Sequence, residues 1–169
     1  MARNPHVLVI PLAAQGHVAP LMKLAVQIAA HGVKVTFVNS ENAHERIMAS
    51  NSTPAEIKEQ ISLISLVTIP DGLGSGAGQR TGLAVAKQAR KGMPDSLKDL
   101  IEKINHFNFS EQITCVVADT MAVWALQVAK EMGINRIAVQ VAGPATLALS
   151  LNVPQLIEAG ILDNDGKTP

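Results

Sequence analysis

Tyrosine is absent from this chain, and its aromatic complement is three phenylalanines and one tryptophan. So few rings leave little surface on which a planar ligand or a nucleobase could stack. Cysteine occurs once, as Cys115, which excludes an internal disulfide. A reducing compartment, the cytoplasm, is the simplest expectation. An excess of one charge is also lacking: Lys and Arg number 14, and Asp and Glu number 14. No nucleic-acid footprint is therefore expected. No uncharged apolar stretch reaches the roughly 18 residues that a membrane helix needs. The opening Met1-Ala2-Arg3-Asn4-Pro5-His6 carries no secretory apolar core with a cleavage site. His6, His31, His44 and His106 show no metal-ligand spacing, so no metal is expected.

What is present is aliphatic. Hydrophobic residues make up 47% of the 169 residues and charged residues 17%, which argues against disorder. The length fits one domain, or one lobe of a larger protein. Val7-Leu8-Val9-Ile10 reads as a buried strand. Pro11 to Pro20 reads as a loop, and Leu21 to Ala30 as a helix closed at His31-Gly32. Val33 to Val38 is a second strand. Strand, helix and strand at this spacing make a βαβ unit, hence a parallel sheet with a right-handed crossover.

The pattern then repeats. A short helix is expected over 43–49 and a third strand over 61–67. A glycine-rich loop is expected over 72–82 and a long helix over 83–107, with Pro94 as a start or a kink. Ile113 to Ala118 is a fourth strand, with no polar residue after Thr114, as a doubly covered sheet requires. A helix over Met121 to Met132, a fifth strand over Arg136 to Val141, and helical pieces over 145–151 and 154–158 complete the reading. The fold class is α/β, a Rossmann-like, doubly wound, mostly parallel sheet over 1–162. The polar tail 163–169 is read as a linker or a cut end.

Two residues stand where such sheets bind ligands, at the carboxyl ends of strands. His17 follows the first strand and Asp119 ends the fourth. Imidazole titrates near neutrality and can serve as a general base. A carboxylate on its other nitrogen would fix the tautomer. The residues alone leave two alternatives open: His17 as a surface or capping residue, and Asp119 as a cap of the next helix.

The wording of these stretches adds to this. Ile10-Pro11, Ala14-Gln15-Gly16-His17 and Pro20-Leu21 resemble the opening of the plant-type UDP-sugar-dependent glycosyltransferases. Val116-Val117-Ala118-Asp119 with Trp124-Ala125 is similar to a second motif of that family. Supporting likeness runs through Val35 to Asn39 with Glu41 and His44, Ile69 to Leu73, Met93-Pro94, Gly133-Ile134 and Gly160 to Asp163. The resemblance implies the N-terminal, acceptor-binding lobe of a two-lobed GT-B enzyme. His17 would be the base and Asp119 its partner, with UDP-glucose or another UDP-sugar as co-substrate and no cofactor or metal. It also implies a small lipophilic acceptor on Gln15, Met121, Trp124, Gln140 and Ser150. The donor would stand near Gly16 and Val141, with Val141 where some members offer a hydroxyl. The family's long donor signature, rich in Trp, Gly and His, does not occur in this sequence. The chain alone is therefore expected to be inactive without a C-terminal donor-binding domain, and prone to self-association.

The rival reading is a non-catalytic or engineered α/β domain that binds a small molecule or a protein. Weaker signals carry less. Gly72-Leu73-Gly74-Ser75-Gly76-Ala77 matches a dinucleotide fingerprint, but no helix begins at once and no fitting acidic residue comes after it. Cys115, mid-strand among apolar residues, reads as inert core.

Overall fold

The computed structural model describes residues 4–41, 44, 62–70, 82–107 and 109–167. Strand β1 (His6–Ile10) is buried throughout and is bounded by Pro5 and Pro11. It is followed by α1 (Gln15–Ala30), β2 (Lys34–Ser40), β3 (Ser65–Ile69) and α2 (Gly82–Phe107). Then come β4 (Cys115–Asp119), α3 (Val123–Glu131), β5 (Asn135–Val139) and α4 (Pro144–Glu158). The sheet runs β3-β2-β1-β4-β5, and every pairing is parallel. This is the doubly wound α/β architecture that the strand–helix alternation predicts. Its strand order reverses between β1 and β4, which makes their carboxyl ends the topological switch point.

Side-chain alternation divides the strands between two faces. Leu8, Ile10, Val38, Val116 and Ala118 face one way and pack with Met93, Leu97 and Ile101 of α2 and with Trp124, Ala125 and Val128 of α3. Met93, Leu97 and Ile101 stand four residues apart, one stripe of a helix. Val9, Phe37 and Val117 alternate to the opposite face and are buried, as are Leu21 and Ala25 of α1. Gly32 and Gly133 adopt left-handed φ of 79° and 68°, closing α1 and α3 where the sequence puts helix ends.

Several boundaries differ from the sequence reading. Helix α1 begins at Gln15 rather than at Leu21, so Gly16, His17 and Pro20 are helical. Pro20 lies inside the helix, where it removes one backbone bond to Gly16, and the surrounding turns carry the loss. Helix α4 runs unbroken through Pro154, where two pieces are expected. Strand β3 starts at Ser65 because its register against β2 begins with Thr36 opposite Ser65. Strand β5 ends at Val139, so Gln140 and Val141 lie outside it. It is an edge strand and largely exposed. The expected helix over 43–49 and most of the glycine-rich loop lie outside the described residues. The chain divides into two compact units, Met1–Val139 and Gln140–Pro169.

Candidate active site

The β1–α1 junction is short and tightly wound. The Ala14 N–H donates to the Leu12 carbonyl at 2.7 Å, and Ala14 is the extended residue that starts α1. The Ala14 carbonyl then accepts from the His17 and Val18 N–H groups, both at 2.9 Å. His17 thus sits in the first turn of α1, directly beyond the end of β1. No side chain caps this helix, so His17 is not a cap.

Asp119 reaches the same place from β4. Its register partner on β5 is Val139, and Ile10 of β1 pairs with the preceding Ala118. Ala118 faces the α2–α3 core, so Asp119 points to the opposite face, under α1. There His17 Nδ1 meets Asp119 Oδ2 at 2.6 Å. The side chain of Asp119 is fully buried, while that of His17 is 29% exposed. The second carboxylate oxygen, Oδ1, accepts from the Met121 N–H at 2.7 Å. This is an Asx turn in the strand-to-helix connection. Helix α3 has Ala122 as its N-terminal flanking residue, without a side-chain cap, so Asp119 does not serve as its cap.

Both groups bonded to the carboxylate are donors, which fixes the chemistry. A carboxylate only accepts, so His17 Nδ1 carries the proton and Nε2 is left bare. An imidazole held in this tautomer and partly open to solvent can take a proton at Nε2. The buried carboxylate stabilises the cation that results.

The other sequence-predicted residues scatter. Gly16 is exposed, and a Cβ built on it would meet nothing within 4 Å. Its helical backbone does not require glycine either, so the fold itself makes no demand for it. Met121, 46% exposed, stands beside the dyad through its bond to Asp119. Trp124 does not join them. It is buried in the α2–α3 core with Ile10 and Ala118, on the face opposite Asp119. The side chain of Gln15 lies outside the described atoms. Gln140, Val141 and Ser150 belong to the second compact unit, where the exposed Ser150 hydroxyl donates to the Thr146 carbonyl at 2.8 Å.

Sequence reasoning assigned no role to Asn39, although the polar end of a β-branched strand is a visible signal. It is buried to 1% exposure, and neither its amide nitrogen nor its oxygen has a partner among the described residues.

The opposite edge of the sheet is built differently. His6, fully buried, donates from Nδ1 to the Glu111 carbonyl at 2.7 Å and accepts at Nε2 from Thr36 Oγ1 at 2.9 Å. Burial holds its pKa below the ordinary value of 6.5, assisted by the Lys34 charge and opposed by the bond to Glu111. A cleft of about 330 Å³ opens beside it, lined by Asn4, Pro5, Gly32, Lys34 and Glu111. Lys34 and Glu111 meet each other there at 2.6 Å. Burial raises the thiol pKa of Cys115, which fits an inert side chain. No group of three or more metal-ligating side chains occurs among the described residues.

No protein-family model matches the chain. Curated proteins do. UDP-glycosyltransferase 83A1 of Arabidopsis thaliana is 38% identical over 168 residues, which is 96% of this chain and 36% of that protein. The (R)-mandelonitrile beta-glucosyltransferase of Prunus dulcis is 31% identical over 160 residues, 94% of this chain and 33% of that protein. Among solved structures, a UDP-glucose:anthocyanidin 3-O-glucosyltransferase in complex with UDP superposes with a TM-score of 0.74 at 22% identity. The match covers 96% of this chain and 35% of that one. A second, LpCGTa in complex with UDP, gives 0.70 at 20% identity, covering 99% and 37%. The fold is that of the N-terminal lobe of a GT-B enzyme. By sequence the chain is similar to plant UDP-glycosyltransferases, and it spans about a third of the length of the curated relatives it matches.

Proposed function

We propose that this chain is the acceptor-binding part of an inverting UDP-sugar-dependent glycosyltransferase. The observation that carries the reading is the 2.6 Å contact of half-open His17 with fully buried Asp119 at the switch point of the sheet. His17 Nε2 takes the proton of an acceptor hydroxyl. The oxygen attacks the anomeric carbon of UDP-glucose or another UDP-sugar from the face opposite UDP, and the bond to UDP breaks with its electron pair. Asp119 stabilises the imidazolium meanwhile. The base and the leaving group balance the step without a metal or a cofactor. The acceptor is a small lipophilic molecule, with Met121 beside the dyad. Gly16 stands toward the donor and gives it a close approach to the backbone.

The relatives are about three times as long as this chain, which supports a separate donor-binding lobe as its partner. Exposed apolar residues, Ile137 on β5 and Leu149 and Leu151 on α4, favour association of the isolated chain with another copy. The single, inert Cys115 fits a cytoplasmic setting.

The test is glucosyl transfer from UDP-glucose to a panel of phenols and terpenoid alcohols. The chain is assayed alone and then mixed with the C-terminal lobe of a related enzyme. Turnover in the mixture only, abolished by His17→Ala, is the expected result. Turnover by the chain alone would mean that the donor also binds here. Undiminished turnover by His17→Ala would remove His17 as the base.

A further inference from the structure

Asn39 lies at the carboxyl end of β2, on the row that holds Asp119. Val9 pairs with Phe37 and Ile10 with Ala118, so continuing the register sets Asn39, position 11 and Asp119 level across β2, β1 and β4. Directly opposed residues of a parallel sheet share a face, so Asn39 and Asp119 point to the same side, that of α1. Two strand spacings separate them, about 10 Å. Asp119 is met on both oxygens, whereas Asn39, equally buried, is met on neither its nitrogen nor its oxygen. His44 leaves the same strand end, and its Nδ1 is also buried without a partner.

An unmet buried polar group costs about 1–3 kcal/mol, and an apolar residue of the same shape would remove that cost. Folded chains keep such groups where something outside the chain meets them.

Resting on the acceptor reading above, we propose that Asn39 is a specificity-determining residue of the acceptor pocket. Its amide takes a second polar group of the acceptor, a hydroxyl or a carbonyl at the end remote from the hydroxyl presented to His17, directly or through one bridging water. Acceptors carrying polar groups at both ends are thereby preferred over those with one.

The test uses the isotope-labelled chain and two probes, para,para-biphenol and para-phenylphenol. The first carries a hydroxyl at each end, and the second lacks the distal hydroxyl. In nitrogen–proton NMR, biphenol should shift the Asn39 side-chain NH2 resonance and phenylphenol should not. Biphenol should also bind about tenfold more tightly. Asn39→Leu should erase that preference and raise the melting temperature. An Asn39 resonance that ignores biphenol while both probes perturb the His17 ring overturns this inference and leaves the acceptor reading standing. The same holds for a preference that survives Asn39→Leu. If neither probe perturbs the chain, the acceptor reading falls and this inference with it. The NH2 shift is read in the wild-type chain, so the test does not depend on the variant folding.

Discussion

Replacing Asp119 by Asn separates the charge of this side chain from its volume. The residue is fully buried, with Oδ2 on His17 Nδ1 at 2.6 Å and Oδ1 on the Met121 N–H at 2.7 Å. Both neighbours donate, and an amide has only one accepting end. If the amide oxygen stays on Met121, its NH2 turns to His17, whose Nδ1 must then accept. The ring proton moves to Nε2, the nitrogen that has to be bare to act as a base. If the oxygen stays on His17 instead, the Met121 N–H is orphaned, at about 1–3 kcal/mol. The first arrangement keeps both bonds and wins.

Two bonds to a charged group, each worth about 1.5–3 kcal/mol, become neutral ones worth about 0.5–1.5, a loss near 3 kcal/mol in all. Relief of a buried charge from its desolvation offsets much of this. Stability should therefore move by less than about 2 kcal/mol, and the fold should persist. In an enzyme assembled with a donor lobe, transfer should fall on the order of 10³–10⁴-fold, as when a buried carboxylate behind a base histidine is neutralised. Long-range nitrogen–proton NMR of the imidazole ring reads the tautomer directly. The neutral His17 ring should carry its proton on Nδ1 in the wild-type chain and on Nε2 in Asp119→Asn. A wild-type ring protonated on Nε2, or a variant whose tautomer does not change, would refute the reasoning.

Gly16→Ala should raise stability by up to about 1 kcal/mol, because alanine favours the helix and its Cβ meets nothing in the chain. Transfer by the assembled enzyme should fall all the same, and a variant that melts higher with unchanged turnover would remove the close-approach role of Gly16. The pKa of buried His6 is lowered in the fold, so the unfolded chain protonates first as pH drops. His6 thus leaves stability intact above about pH 6.5 and erodes it as pH falls from there toward the folded-state value. Melting temperatures between about pH 7 and about pH 5 should fall less steeply in His6→Gln than in the wild type. Cys115 should react with a thiol reagent much more slowly in the folded chain than in denaturant; equal rates would contradict its burial-raised pKa.

The sheet and its site were legible because both derive from period and position. Short apolar runs such as Val7 to Ile10 and Val116 to Ala118, rich in β-branched residues, read as strands buried on two faces, and the residues just beyond them land on the carboxyl edge. His17 and Asp119 needed only that β1 and β4 be neighbours, which the strand order supplies. Prolines misled the reading at Pro20 and Pro154. A proline removes one helical bond, and whether the neighbouring turns make up for it depends on packing that the local sequence does not contain. Trp124 lies in the core rather than beside the dyad for a different reason. Its helix phase groups it with Ala125, Val128 and Ala129, the buried stripe of α3, which decides its direction before any ligand is considered. Asn39 escaped because its unmet amide is a three-dimensional fact: a polar residue at a strand end normally finds water.

Buried polar groups stand at the carboxyl edge of the sheet, and this bears on what that edge is for. On the α2–α3 face Val38, Ile10 and Ala118 are apolar and buried, and β2 runs on to buried Ser40. On the α1 face stand Asn39 near the end of β2 and Asp119 at the end of β4, both polar and equally buried. A one-residue slip of register would exchange the two sets. The apolar packing of Leu8, Val116 and Val38 therefore fixes which polar groups reach the α1 face. Stability alone would favour apolar residues at both positions, since a buried polar group at best recovers the bonds it loses to water. Asp119 recovers them from His17 and Met121, and in doing so leaves Nε2 of His17 bare. Asn39 recovers nothing among the described residues. The core packing thus holds one satisfied and one unsatisfied polar group two strands apart on the α1 face.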